Sequence, residues 1–148
     1  MRFLILLTSA LTLAAGAANA GDLEAGESVF RKCVVCHAIG EGAANKVGPQ
    51  LNGVIGRAWG AVEGFAYSEG REGTLLAIHE AEPQVWDPET LSAYLRMPRD
   101  VIPKGKMAFA GIQDDTDLEN LIYYMASFDA DGAAADPDAV LAEFPAAE

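Results

Sequence analysis

Two cysteines and a histidine, Cys33, Cys36 and His37, are the residues of this chain most suited to do chemistry. They follow the order Cys-x-x-Cys-His, which is the spacing that attaches a c-type haem. Cysteines three positions apart lie on one side of a helical turn, so both thiols can reach the two vinyl groups on one porphyrin edge. The next residue can then offer its imidazole to the iron as the fifth ligand. The pentad therefore predicts one haem held by two thioether bonds.

Three other interpretations of this pentad are weaker. A structural zinc site normally has four ligands, but the chain has only two cysteines and two histidines, and the second histidine is His79. A thioredoxin-type redox pair is expected to follow a strand, whereas Cys33 and Cys36 end a helix-like segment. A plain disulfide gives no reason for a histidine at position 37.

The pentad must be positioned by the segments around it, and their patterns are helical. Residues 23–35 have an apolar stripe that delivers the cysteines at a helix C-terminus, and Gly26 would allow a close neighbour. Residues 38–85 are rich in glycine and without a long period, which predicts loops with short helices. Asp87 and Pro88 are suited to begin a helix over 87–97.

A last helix is predicted to begin at Thr116, where Glu119 would complete a capping box. No internal repeat and no strand pattern is found along the chain. The sequence therefore predicts an all-α fold in which three main helices and their loops wrap around the haem.

The first twenty residues have the pattern of a signal peptide. Arg2 supplies a positive start, and residues 3–13 form an apolar stretch that is short for a spanning helix. The small residues Ala18 and Ala20 predict cleavage before Gly21. An uncleaved anchor is the alternative, but no basic cluster or longer apolar run follows. We expect an exported protein without stable membrane insertion, in an oxidising compartment that in a bacterium is the periplasm.

The chain is strongly acidic, with 22 Asp and Glu against 10 Lys and Arg and a formal net charge of −12. Such a charge disfavours nucleic acid and anionic membranes, and it favours a partner with a basic face, although solubility alone explains it equally well. Residues 21–128 form the predicted domain. Residues 129–148 are rich in Ala and Asp, which predicts a mobile acidic tail with a short helix at 137–143 as the alternative.

Four residues downstream are able to bind the other face of the iron: Met97, Met107, Met125 and His79. Met97 and Met125 lie in or at the end of amphipathic helices, where packing is the simpler role. His79 is a lone histidine after apolar residues, which is more often a surface or packing residue. Met107 lies in an irregular stretch between two helices, where a thioether can cross to the distal face.

Several separated motifs over residues 22–128 resemble the class I cytochrome c family, in particular the bacterial periplasmic carriers related to the mitochondrial protein. Cys33 and Cys36 match the thioether cysteines, and His37 matches the proximal ligand. Residues 104–111 resemble the methionine loop, which implies Met107 as the sixth ligand and a His37/Met107 metal site. The resemblance implies the class I cytochrome c fold around one covalently bound haem c.

The resemblance extends to the residues around the haem. Residues 47–53 resemble the turn in which the carbonyl oxygen matching Pro49 accepts the imidazole N–H. Arg57 and Tyr67 match family positions near a haem propionate. Trp86 matches a tryptophan over the same haem edge, and Tyr94 matches a buried tyrosine near the methionine sulfur. By residue type alone, the arginine could lie on the surface and the aromatic residues could be ordinary core residues.

The chain also departs from the family pattern. The stretch between Tyr67 and Trp86 is longer than in the shortest members and carries His79. The lysine collar of mitochondrial relatives is missing. A local ring around the exposed haem edge remains an alternative, and its members would be Lys32, Lys46, Lys104 and Lys106.

The resemblance implies one-electron transfer, not enzymatic chemistry, by a monomer. His/Met ligation raises the reduction potential because a thioether favours ferrous iron. Implied partners are a quinol-oxidising cytochrome complex, a terminal oxidase, a reaction centre or a periplasmic dehydrogenase. A dedicated cytochrome subunit of such a dehydrogenase is one alternative. An open-site peroxidase or gas-binding protein is another, against which Met107 argues.

Overall fold

The computed structural model describes residues 21–145, so the predicted signal peptide at 1–20 lies outside the described residues. Within that range the regular elements are helices, and β structure is limited to two isolated bridges. This confirms the predicted all-α class. None of the helices there is long and apolar enough to cross a membrane. The helices are α1 Leu23–Phe30, α2 Leu75–Ala81, α3 Pro88–Arg96, α4 Pro98–Val101, α5 Asp115–Ala126 and α6 Pro137–Ala142.

Aspartate side chains cap the N-termini of α1, α3, α5 and α6. The Asp22 carboxylate accepts from two backbone N–H groups at the start of α1. Asp87 caps α3 as predicted and accepts from the Thr90 N–H at 2.7 Å. The predicted start of the last helix was wrong, because Asp114 accepts from the Asp117 N–H and begins α5 at Asp115. A carboxylate earlier in the chain thus takes the role predicted for Thr116.

The first helix is shorter than predicted. It ends at Phe30, and residues 31–36 continue as turns that carry the two cysteines. The Cys33 carbonyl oxygen accepts from the N–H groups of Cys36 and His37 at 3.0 and 2.9 Å. This tight turn places the pentad directly after the buried end of α1.

Helices α1 and α5 cross closely and form the support for the pentad. A Cβ atom on Gly26 would overlap the carbonyl oxygen of Asn120 and lie 2.6 Å from Tyr124 Cβ. The rings of Phe30 and Tyr124 pack with their centroids 5.4 Å apart. Leu121 of α5 is fully buried beneath this crossing. The crossing therefore fixes the end of α1 from which the haem motif extends.

The C-terminal tail, for which a short helix at 137–143 was the alternative prediction, contains α6. Residues 129–145 fold back on the domain, and α6 packs against α5. Leu141 contacts the hydrophobic core, and the Phe144 ring lies over Gly56. The acidic composition does not predict these contacts. A few apolar residues at helical spacing are enough to dock a short helix, whatever the composition of the rest of the segment.

Candidate haem site

A largely apolar cavity of about 270 Å³ lies between α2, α3, α5, the turn after α1 and the loops. Its walls come from segments distant in the sequence, which pack together only in the folded chain. All the predicted site residues line it: Cys33, Cys36, His37, Pro49, Arg57, Tyr67, Trp86, Tyr94 and Met107.

The two thiols enter the cavity from the turn after α1. Both cysteines are free and half-buried. Burial raises the pKa of the Cys33 thiol, and the neighbouring Lys32 opposes that shift. Both cysteines line the cavity from the same turn, as attachment to two vinyl groups of one porphyrin requires.

The imidazole of His37 is oriented by the backbone. Its Nδ1 lies 2.7 Å from the carbonyl oxygen of Pro49. A carbonyl only accepts, so Nδ1 carries the proton and Nε2 keeps a free lone pair. Burial lowers the pKa of His37, which favours the neutral ring that a metal needs.

Gly48 makes this arrangement sterically feasible. A Cβ atom there would lie 2.6 Å from His37 Nε2 and equally close to the rest of the ring. The Gly48 N–H also donates to the Cys36 carbonyl oxygen at 2.7 Å. The loop therefore lies directly against the imidazole and is tied to the haem motif.

The structure separates the four candidates for the second axial position. The Nδ1 atom of His79 accepts from the Gln84 N–H at 2.9 Å, and His79 does not line the cavity. Met97 is 44% exposed, and its sulfur faces the Gln113 amide at 3.9 Å. Met125 lines the cavity but is buried in the last turn of α5, within the regular helix. Met107 lines the cavity from an irregular loop.

The loop that carries Met107 is held from two sides. The Nζ atom of Lys106 donates to the carbonyl oxygens of Ala66 and Tyr67 at 2.8 and 3.0 Å. The Lys104 N–H donates to the Gly73 carbonyl oxygen at 2.8 Å. The second bond links the methionine loop to the long stretch before α3, whose Leu75 also lines the cavity.

Arg57 forms the polar end of the cavity. Its two terminal nitrogens donate to the carbonyl oxygens of Asn52 and Gln50 at 2.9 and 3.2 Å. Its Nε atom is buried without a partner among the described residues. A buried guanidinium needs an acceptor or an opposite charge, and a haem carboxylate has that chemistry. The residues present therefore fit a haem.

A stack of aromatic rings closes the cavity beside Arg57. The rings of Trp86 and Tyr94 lie 5.0 Å apart, and burial raises the pKa of Tyr94 to about 12. Trp59 stacks on Trp86 at 4.4 Å, although sequence reasoning did not identify it. Leu75 was also missed. Both lie in a glycine-rich region without a period, and their apolar character was the only available signal.

Comparison with known proteins gives consistent matches, although no protein-family model matches the chain. The chain is 49% identical over 107 residues to cytochrome c-550 of Ancylobacter novellus, which covers 72% of this chain and 95% of that protein. It is 42% identical over 133 residues to cytochrome c2 of Blastochloris viridis, covering 90% and 98%. The solved cytochrome c2 of Rhodospirillum centenum matches with a TM-score of 0.65 and 35% identity, covering 74% of this chain and 99% of that one.

These relatives match the chain over nearly their whole length, and the cavity brings together a Cys-x-x-Cys-His motif and a methionine loop. The chain belongs to the class I cytochrome c family, within the group of cytochromes c2 and c-550, and is an electron carrier with a covalently attached haem c.

Proposed function

We propose that His37 and Met107 are the two axial ligands of the haem iron, and that the chain passes single electrons without acting on a substrate. The observation that carries this proposal is the bond from His37 Nδ1 to Pro49, which leaves Nε2 free beside a cavity that Met107 also lines. With both axial positions taken by side chains, no position is left for a substrate.

The haem supplies the Fe(III)/Fe(II) couple, and the surrounding residues set its potential. The Met107 thioether is a soft ligand that favours the reduced state. Apolar walls exclude water and penalise the additional charge of the oxidised state. The Arg57 guanidinium offsets the negative charge of a nearby carboxylate. We expect a higher potential than two nitrogen ligands would give.

The proposed exit for the electron is the surface next to Cys33 and Cys36. Val35 and Val47 there are 76% and 78% exposed, which is unusual for apolar residues of this size. Lys46 donates to the Val34 carbonyl oxygen, Lys106 lines the cavity, and Lys32 lines it while paired with Asp117 at 3.1 Å. The exposed apolar surface suits brief contacts, and the net charge of −12 favours salt-dependent docking to a partner with a basic face.

The partners that fit such docking are membrane or periplasmic redox proteins, and the chain acts as a monomeric shuttle. A quinol-oxidising cytochrome complex or a periplasmic dehydrogenase would donate the electron, and a terminal oxidase or reaction centre would accept it. All of these meet the chain in the periplasm. A stoichiometric complex recovered at low salt would contradict the shuttle.

We further propose that the signal peptide is removed before Gly21. In support of this site, residues 21 and 22 already pack on α5, since a Cβ atom on Gly21 would overlap the Tyr123 ring and the Asp22 N–H donates to the Asn120 side chain at 2.9 Å. The mass of the intact mature protein tests the cleavage site and the covalent haem together.

Replacing Met107 with Ala tests the ligation. We expect the haem to stay attached, the potential to fall, and the weak near-infrared sulfur-to-iron band of the ferric protein to vanish. Met97→Ala is the matched control, because Met97 is exposed and outside the cavity lining. If M107A keeps the band, or M97A loses it, the assignment is wrong.

A further inference from the structure

The segment 129–145, here called the C-terminal strap, lies directly on the loop that orients His37 and Arg57. A Cβ atom on Gly132 would overlap the Gly40 carbonyl oxygen and lie 2.5 Å from Asn52 Nδ2. At the other end of the strap, the Phe144 ring lies about as close to Gly56, 3.0 Å from the Cβ position there. The strap thus covers the loop over residues 40–56.

The strap has its own hydrogen-bonded structure. The Asp129 carboxylate accepts from the N–H groups of Asp131 and Ala133, both at 2.9 Å. The Ala135 N–H donates to the Ser127 carbonyl oxygen at 2.8 Å. Asp136 caps α6, which packs on α5. The position of the C-terminal strap is therefore fixed by several independent contacts.

A short chain of contacts connects the strap to the haem site through Asn52. The Asn52 side chain is buried and makes two hydrogen bonds with the Gly40 backbone, at 2.7 and 3.0 Å. The backbone carbonyl oxygen of Asn52 accepts from Arg57 at 2.9 Å. Pro49, which accepts from His37, lies three positions earlier in the same loop.

We propose that the C-terminal strap is a positioning element for the haem site. It presses Asn52 against Gly40, and the loop held in this way keeps the Pro49 oxygen on His37 and keeps Arg57 buried. Loosening the strap admits water to this side of the cavity, which favours the oxidised state and lowers the reduction potential. The inference rests on the proposed ligation by His37.

The test uses the mature holoprotein with Gly132→Ala and Phe144→Ala. Gly70→Ala is the control for the first variant, because Gly132 and Gly70 have φ values of 83° and 80° but a Cβ atom on Gly70 meets nothing within 4 Å. Both glycine changes therefore carry the same backbone strain. Phe144→Ala keeps the proposal testable if G132A does not fold, because it removes a contact without straining the backbone.

The readouts are the reduction potential and the amide hydrogen exchange of Gly48, Leu51 and Gly53. We expect a lower potential and exchange about tenfold faster or more in the strap variants, corresponding to easier local opening, and neither change in G70A. If the strap variants lower only the melting temperature and match G70A in potential and exchange, the strap is merely structural and the proposal is overturned. The near-infrared band separates this outcome from failed ligation, because M107A tests that ligand with the strap intact.

Discussion

The Nδ1 atom of His37 lies 2.7 Å from the carbonyl oxygen of Pro49, twelve residues further along the chain. This bond determines which imidazole nitrogen carries the proton and therefore which nitrogen is available to a metal. It depends on a loop that passes within van der Waals contact of the ring. The geometry of the proposed ligand His37 is therefore determined by backbone outside the haem motif.

Adding a methyl group at Gly48 should disturb that bond. In Gly48→Ala the new Cβ atom would fall on the imidazole of His37, so the ring or the loop must move. We expect a loss of about 1–3 kcal/mol in the free energy of unfolding and an altered haem spectrum. The adjacent control Val47→Ala, at a largely exposed side chain, should change stability by no more than about 0.5 kcal/mol. Equal effects of the two changes would contradict the proposed contact.

The crossing of α1 and α5 makes a second prediction. A side chain at Gly26 has no room, because the carbonyl oxygen of Asn120 occupies the Cβ position. Gly26→Ala should therefore cost about 1–3 kcal/mol in denaturant unfolding, despite the better helix propensity of alanine. Glu27→Ala is the control on the exposed side of α1. If G26A leaves the free energy of unfolding unchanged or raises it, the two helices can move apart at no cost in stability and the prediction is wrong.

The bond between the Lys104 N–H and the Gly73 carbonyl oxygen predicts that the long stretch before α3 steadies the methionine loop. Gly73→Ala and Gly70→Ala introduce alanine at nearly equal positive φ angles, 81° and 80°. Each substitution should lower the free energy of unfolding by about 1 kcal/mol. Only G73A strains the residue whose carbonyl oxygen accepts from the Lys104 N–H, so only G73A should make the near-infrared sulfur-to-iron band bleach at a lower temperature. Equal bleaching in both variants would rule out this role.

The sequence was sufficient to predict the parts of the site that depend on local chemistry. The spacing of Cys33, Cys36 and His37 follows from the porphyrin, and Asp87 caps its helix by short-range hydrogen bonding. Trp59 was missed because it is buried by contact with Trp86, a residue distant in the chain. The docking of the tail depends on packing of the Phe144 ring against Gly56. The composition of the tail does not predict this contact.

Tyr94 allows a prediction of pH dependence. Burial raises its pKa from 10.0 to about 12, so the folded protein holds the phenol proton more tightly than the unfolded chain does. The resulting stability is complete below pH 10 and is lost as the pH rises from about 10 to 12. Between pH 9 and pH 11 this group should lower the free energy of unfolding by about 1 kcal/mol. Tyr94→Phe keeps the ring beside Trp86 but has no proton to lose, so its decline over that interval should be smaller by this amount. Denaturant unfolding at the two pH values measures the difference, and parallel declines in the two proteins would show that the phenol titrates normally.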